Sequence, residues 1–503
     1  MYIIIHTYMA NPKLPLKTRS HQRQPLPRSR KKHQPPKTQP PELLRTRFSS
    51  AQLLRRFRKL LPVARLASWL ALWDKEFYQR AFTPLVTLWY CIFQRLGPNH
   101  HLSNVVEDAL AGGADRLSPR DKRLSQQLHS EATTSFCDAR QRLPLDIFLK
   151  TLRHTASQIA SAVQAPQHFG LNVALVDGTT CRMRPYGDIP KQFPPHRPGN
   201  CKKQPYWCLA RIVGMFCLAT GCVLDSVMGP LQTSEQALSA LLLKRSWAKW
   251  LLLADRNFGV YSVVCAAVAA QAHVLFRLTQ ARAAKLARSA GHKLLPGLDA
   301  PLHWRPSSRD QCPEGLAPIP ISGRLVVVRA ERRGFRPLTL YLFTTLLDTR
   351  ACSAQELAKL YAQRWNVELC FRYVKAQMEL GFLECHSADM ARKEWLAGLV
   401  AYNLIRWIMA VAAATAQVPV QTLSFSRARE FLLGWCVRSS VRGCTRESWQ
   451  RLLTRIARAR LPKRRKRLLS EPRAIRAFQK DVAKLEGSRA AARQKLAQQH
   501  ANS

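Results

Sequence analysis

Acidic side chains are scarce in this chain: 31 Asp and Glu stand against 79 Lys and Arg over 503 residues, a formal net charge of +48. The excess of cations attracts polyanions and favours salt-sensitive binding through counterion release. The excess is not a tail effect. Residues 1–41 contribute +9 and residues 442–503 contribute +14, which leaves +25 in the body. Paired cysteine motifs are missing as well. Fourteen Cys occur with no C-x-x-C pair, and the nearest neighbours, Cys217 and Cys222, lie in an apolar stretch. That pattern argues against a zinc knuckle and for reduced, buried thiols of an intracellular protein. The opening MYIIIHTYMANPK lacks a basic start followed by a sustained apolar run, so no secretory leader is read there. Leu396 to Ala416 is nearly all apolar, but Asn403 and Arg406 interrupt it. Their insertion cost favours a buried helix over a membrane span.

What remains is ordered by composition. Residues 1–45 form a basic, Pro-rich tail expected to be disordered. Residues 46–160 carry apolar-periodic runs such as LVTLWYCIFQRL and FLKTLRHTASQIASAV, separated by Pro62, Pro98 and Pro119. They predict an Arg-rich helical domain, with no helix-turn-helix clear enough to single out a recognition helix. From 161 to 280 the pattern is α/β: a strand reaching Asp177, a polar Pro-rich loop over 184–205, and ARIVGMFCL and CVLDSVM joined by a turn at 219–221. A helix over 234–244, a strand ending at Asp255, a helix over 260–271 and the strand HVLFRL follow. Residues 281–352 hold two β-type runs, SGRLVVVRAE and PLTLYLFTTL, that read as an insertion. Residues 353–440 carry two further helices, and 441–503 a basic helical end that includes LPKRRKR at 461–467. The fold class predicted is α/β: a ribonuclease H-like mixed sheet with helices on both faces, interrupted by a β-rich insertion.

The segment YAQRWNVELCFRYVK places Tyr361, Arg364, Glu368 and Lys375 with two, three and six residues between them. At about 100° per residue these four fall within one narrow helical face. One phenol, one carboxylate and two cations make a poor core face, since burying such groups unpaired is costly. They make a good lining for a site that holds a metal and phosphates. Upstream, Asp177 follows Ala174, Leu175 and Val176, and Asp255 follows Leu251 to Ala254. Each reads as a buried strand delivering an Asp at its carboxyl end, where open α/β sheets keep their ligands. Either Asp alone reads more readily as a turn former or a helix cap than as a catalytic residue. Three carboxylates converging on one point repel unless divalent cations sit between them.

With these residues in place, the chain resembles the DDE transposases of bacterial insertion sequences, in the branch marked by a Y-R-E-K signature (the IS-four type). The likeness extends from the triad to FTPLVTLWYCIFQRL, SFCDARQRLP, the DGTT and ADRNF strand ends, and VPVQTLSFSRAREFL, covering roughly residues 45 to 475. It implies Asp177, Asp255 and Glu368 as catalytic ligands of two Mg²⁺ ions, with Mn²⁺ able to substitute. It further implies Tyr361, Arg364 and Lys375 on DNA phosphates, Trp365 or Trp304 as a stacking platform for a flipped base, and the helical domain on the element's terminal DNA. The activity implied is metal-dependent cleavage that frees 3′-hydroxyls, followed by their joining to target DNA. The partners implied are double-stranded DNA and a second copy of the chain on paired ends, in the bacterial cytoplasm with the nucleoid and with no membrane. A catalytically inactive or domesticated DNA-binding derivative, another ribonuclease H-like nuclease and a general RNA-binding protein remain open alternatives.

Overall fold

Alternation of side chains along extended strands lays down a sheet with two apolar faces. The computed structural model of the protein describes residues 50–73, 80–97, 100–117, 122–162, 167–195, 207–308, 310, 312–331, 337–462 and 487–501. The tail expected over 1–45 and most of LPKRRKR lie outside the described residues. Among the described residues nine strands form one sheet: β1 (Asn172–Met183), β2 (Cys208–Cys217), β3 (Val223–Pro230), β4 (Trp250–Ala254), β5 (His273–Arg277), β6 (Asp299–Trp304), β7 (Ile321–Ala330), β8 (Leu338–Thr344) and β9 (Phe382–Leu383). Their order is β3-β2-β1-β4-β5-β8-β7-β6, with β9 added on β1. Strands β1, β2 and β3 are antiparallel neighbours, and β1, β4 and β5 run parallel. The β4–β5 connection carries the Tyr261–Ala269 helix, the crossover that a parallel pair requires.

Even and odd positions of β1 face different cores. Val173 and Leu175 join the cluster that holds the helical N-terminal region and the long Ala388–Thr415 helix. Ala174 and Val176 join the cluster around Phe258, Tyr261 and Val264 on the opposite face. The mixed α/β class is therefore as expected. The residues read as an insertion do not form a sheet of their own: β8 pairs antiparallel with β5, so β8, β7 and β6 prolong the same sheet.

By length and composition the Ala388–Thr415 helix could cross a membrane, yet 89% of its most apolar window is buried inside the fold. It packs against the Pro84–Leu96 and Leu145–Ala162 helices. Its two polar interruptions are satisfied locally. Asn403 Oδ1 accepts from Val223 N at 2.7 Å and its Nδ2 donates to Val223 O at 2.8 Å. Arg406 Nε donates to the Tyr402 hydroxyl at 2.8 Å, and that hydroxyl donates to Gly221 O at 2.9 Å. Gly221, at φ +70°, makes the β2–β3 turn and leaves room for the Arg406 guanidinium where a Cβ would stand. Replacing Asn403 by Leu strands the two backbone groups of Val223 in a dry interior. The expected loss is on the order of 3 kcal/mol of unfolding free energy in a denaturant titration, and an unchanged midpoint would contradict this account of the helix.

Candidate functional site

The register between β1 and β4 sets the site. Val176 pairs with Ala254, so the next residues, Asp177 and Asp255, leave adjacent parallel strands side by side on the same face. The two strands then differ. β4 stops, and Asp255 turns the chain by accepting from Asn257 N at 2.9 Å. β1 continues, paired to β2 as far as Met183, and β9 returns to its other edge only at Arg182 and Met183. Asp177 thus lies in mid-strand rather than at the strand end that the sequence predicts, because β2 holds β1 extended after β4 has ended. Between β4 and β9 the edge of β1 over 177–181 borders a notch with no strand partner among the described residues.

The segment that closes the notch is helical but not one regular helix. The Ala354–Ala362 helix starts with a Ser353–Glu356 capping box, tightens to a 3₁₀ turn over Gln363–Trp365, resumes over Asn366–Arg372 and widens to a π turn over Tyr373–Gln377. A bond from Met378 N to Tyr373 O at 3.0 Å closes the π turn. The evenly wound stripe expected from the sequence is corrected to this kinked path. Its side chains still converge on the notch. Arg364, only 5% exposed, reaches Asp177 Oδ2 with Nη1 at 3.5 Å and Glu368 Oε1 with Nη2 at 3.3 Å. Its guanidinium lies 4.5 Å from the Trp365 ring centroid, and its Nε is buried with no hydrogen-bond partner. Lys375 Nζ donates to Thr179 Oγ1 at 3.2 Å, two residues beyond Asp177 on the same face of β1. Tyr361 is buried, and Trp365 is half-buried. Trp304 is not at the site: it is 4% exposed and packs edge-on against Phe343 and Tyr261 in the core.

Electrostatics bind these groups together. Burial, opposed by Arg364 and reinforced by the charges of Asp255 and Glu235, pushes the Asp177 carboxyl up to about 7. Burial also raises the Tyr361 phenol, against the pull of Arg364 and Arg277, and lowers the Lys375 ammonium, with Arg182 adding repulsion. Glu235 and Asn257 belong to the same neighbourhood, although neither stands out in the sequence. Glu235 at the start of the Glu235–Leu242 helix reads as a first-turn acid, and Asn257 as a turn residue. The one available signal is that Asn257 follows Asp255 by two residues.

Asp177, Asp255 and Glu368 are hard oxygen donors, and crowded carboxyls such as Asp177 are relieved by a divalent cation, so the donor chemistry fits Mg²⁺ or Mn²⁺. The geometry is incomplete. Among the described residues no three His, Cys, Asp or Glu side chains form a ready ligand set, and Arg364 stands between Asp177 and Glu368.

The class of protein that these observations define is a mixed α/β domain, with Asp177 in one strand, Asp255 just past the end of its parallel neighbour, and Glu368 on a following helix. Residues 168–404 match the Transposase DDE domain family. Over 336 residues the chain is 24% identical to the transposase InsG for insertion sequence element IS4 of Escherichia coli (strain K12), a match spanning 65% of this chain and 70% of that protein. A shorter stretch of 75 residues is 32% identical to the probable transposase for insertion sequence element IS5377 of Geobacillus stearothermophilus, covering 15% of this chain and 20% of that one. The piggyBac transposase, in a cryo-EM synaptic complex with hairpin DNA, superposes with a TM-score of 0.35 at 11% identity. That alignment covers 86% of this chain and 87% of that one, a likeness too low to carry an argument. The domain match and the IS4 relative support a DDE transposase of the IS4 type.

The raised Asp177 carboxyl has a pH signature. Its folded value lies above that of the unfolded chain, so the fold gains from its proton at low pH and loses that gain as pH rises from about 4 through about 7. Without added metal, Asp177→Asn is expected to gain thermal stability relative to the unaltered chain between pH 5 and pH 8, read by calorimetry. Parallel pH profiles for the two proteins would contradict the burial described.

Proposed function

We propose that the chain is a DNA transposase that binds the ends of its insertion sequence, frees 3′-hydroxyls by metal-dependent cleavage and joins them to target DNA. The observation that carries this reading is the placement of Asp177 and Asp255 directly after the paired Val176 and Ala254 of two parallel strands, with Arg364 tying Asp177 to Glu368. The strand order β3-β2-β1-β4-β5, three antiparallel strands followed by two parallel ones, supports a ribonuclease H-like core within the larger sheet.

Asp177, Asp255 and Glu368 would hold the divalent ions. When bound, two such ions supply Lewis acidity to both the attacking and the leaving oxygen of an in-line displacement. Arg364 would exchange its contacts with Asp177 and Glu368 for a phosphate of the DNA, to which its guanidinium can make two parallel bonds. Lys375, held over Thr179 by a single bond, neutralises a neighbouring phosphate. Tyr361 stays protonated at neutral pH and donates its hydroxyl hydrogen, and the half-buried Trp365 offers a face for stacking.

A second cationic feature supports double-stranded DNA as the partner and the helical N-terminal region as its docking site. A cavity of about 680 Å³ is lined by Arg55, Arg58, Lys59, Arg116 and Arg123, all exposed. Asp115, the one acid in its wall among the described residues, is engaged by Ser125 N and Oγ at 2.9 and 3.0 Å. Paired cutting of two ends calls for a homodimer on DNA, and an enzyme with this task would work in the bacterial cytoplasm with the nucleoid.

Two measurements test this reading. Mg²⁺-dependent nicking of DNA carrying the element ends should fall below detection in Asp177→Ala, Asp255→Ala and Glu368→Ala while binding in a mobility shift persists. An unaltered chain that binds ends but never cuts them would instead mark an inactive derivative. Arg58→Ala, Arg116→Ala and Arg123→Ala combined should reduce the slope of log affinity against log salt by roughly 3, about 0.9 for each phosphate left without its cation; an unchanged slope would remove the cavity from the DNA path.

A further inference from the structure

Glu235 and Asn257 make a hydrogen-bonded link for which none of the roles above has a use. Ser234 already caps the Glu235–Leu242 helix by accepting from Ala237 N at 3.1 Å, so the Glu235 carboxylate is not spent on the helix start. It reaches instead over β1. A Cβ placed on Gly178 would collide with Glu235 Oε1, so the glycine after Asp177 is what lets the carboxylate approach the strand. The other oxygen, Oε2, accepts from Asn257 Nδ2. Asn257 N in turn donates to Asp255 Oδ1 at 2.9 Å, and Gln236 Nε2 donates to both Asn257 O and Oδ1 at 2.8 Å. On the β1 side, Gly178 N donates to Asp177 Oδ1 at 2.8 Å. Hydrogen bonds thus run from Asp255 through Asn257 to Glu235, and Glu235 Oε1 lies close over Gly178, the residue next to Asp177.

A third carboxylate beside two others repels them, which costs stability. The hydrogen bonds give something in return. Asp255 sits on a turn just past the end of β4, and a side chain on such a turn loses its aim unless a second element holds it. These bonds anchor that turn to the Glu235–Leu242 helix, which packs on β2 and β3 and holds the Glu235 carboxylate over Gly178.

We propose that Glu235 and Asn257 are positioning residues that fix the spacing of the Asp177 and Asp255 carboxylates so that both can ligate one divalent cation. The proposal rests on the reading that these two aspartates hold the metal. A helix-capping or dipole role for Glu235 would leave metal affinity untouched, whereas partners that orient metal ligands change affinity by roughly 10- to 100-fold when removed.

The test is Mn²⁺ affinity of the full-length, DNA-free chain, read by electron paramagnetic resonance alongside thermal melting, for Glu235→Ala, Glu235→Gln and Asn257→Ala. Glu235→Ala and Asn257→Ala should each weaken Mn²⁺ binding by about tenfold or more. Glu235→Gln should stay within about twofold, because its amide oxygen still accepts from Asn257 Nδ2. Unchanged affinity in the two alanine variants overturns the proposal. So does a loss in Glu235→Gln equal to that in Glu235→Ala, which would make the charge and not the hydrogen bond the active element. Should Glu235→Ala fail to fold, Glu235→Gln and Asn257→Ala decide. The underlying reading fails separately: the unaltered chain would then bind Mn²⁺ no better than a combined Asp177→Ala, Asp255→Ala variant.

Discussion

Everything at the site depends on one register, Val176 against Ala254 in the parallel pair of β1 and β4. A shift of one residue would turn Asp177 and Asp255 to opposite faces, because side chains alternate along a strand. The register is held from both faces of the sheet by apolar neighbours, Val173 and Leu175 on one side and Ala174 and Val176 on the other. Two large cores thus fix the relative place of two small carboxylates, and the repulsion between those carboxylates is borne by the packing beneath them.

Arg364 is the counterpart of that constraint. It is a buried cation between Asp177 and Glu368, and its planar fork satisfies one oxygen of each. A guanidinium engaged at 3.3 and 3.5 Å is held more loosely than in an ideal bidentate pair. That looseness suits a group able to leave its carboxylates for a phosphate. The irregular backbone around it serves the same end: the 3₁₀ turn sets the direction of Arg364, and the π turn brings Lys375 over Thr179. Such interruptions of the α-helical ladder often occur at functional sites.

Much of this was legible in the residues. The apolar runs before Asp177 and Asp255 announce buried strands, the 46–160 periodicity announces helices, and Asn403 and Arg406 within an apolar stretch announce a buried helix rather than a membrane span. Other features were not, for physical reasons. Asp177-Gly178-Thr179-Thr180 reads as the end of a strand because polar residues on an extended segment look like a loop; only the partner β2 keeps them in the sheet. The 3.6-residue period cannot foretell a local 3₁₀ or π turn, since both arise from tertiary contacts. Trp304 carries the same side chain whether it stacks on a base or fills a core, and only Phe343 and Tyr261 decide it. Glu235 and Asn257 are invisible because their role lies in a contact between segments about twenty residues apart in order, each of which has an ordinary local explanation.

The central claim is that Asp177 and Asp255 share a divalent cation, and anomalous scattering from crystals of the chain soaked in Mn²⁺ tests it most directly. The account predicts a manganese peak between these two carboxylates, lost in crystals of Asp177→Ala. A peak elsewhere on the molecule with none between the two aspartates, or one that survives the loss of the Asp177 carboxylate, would contradict it.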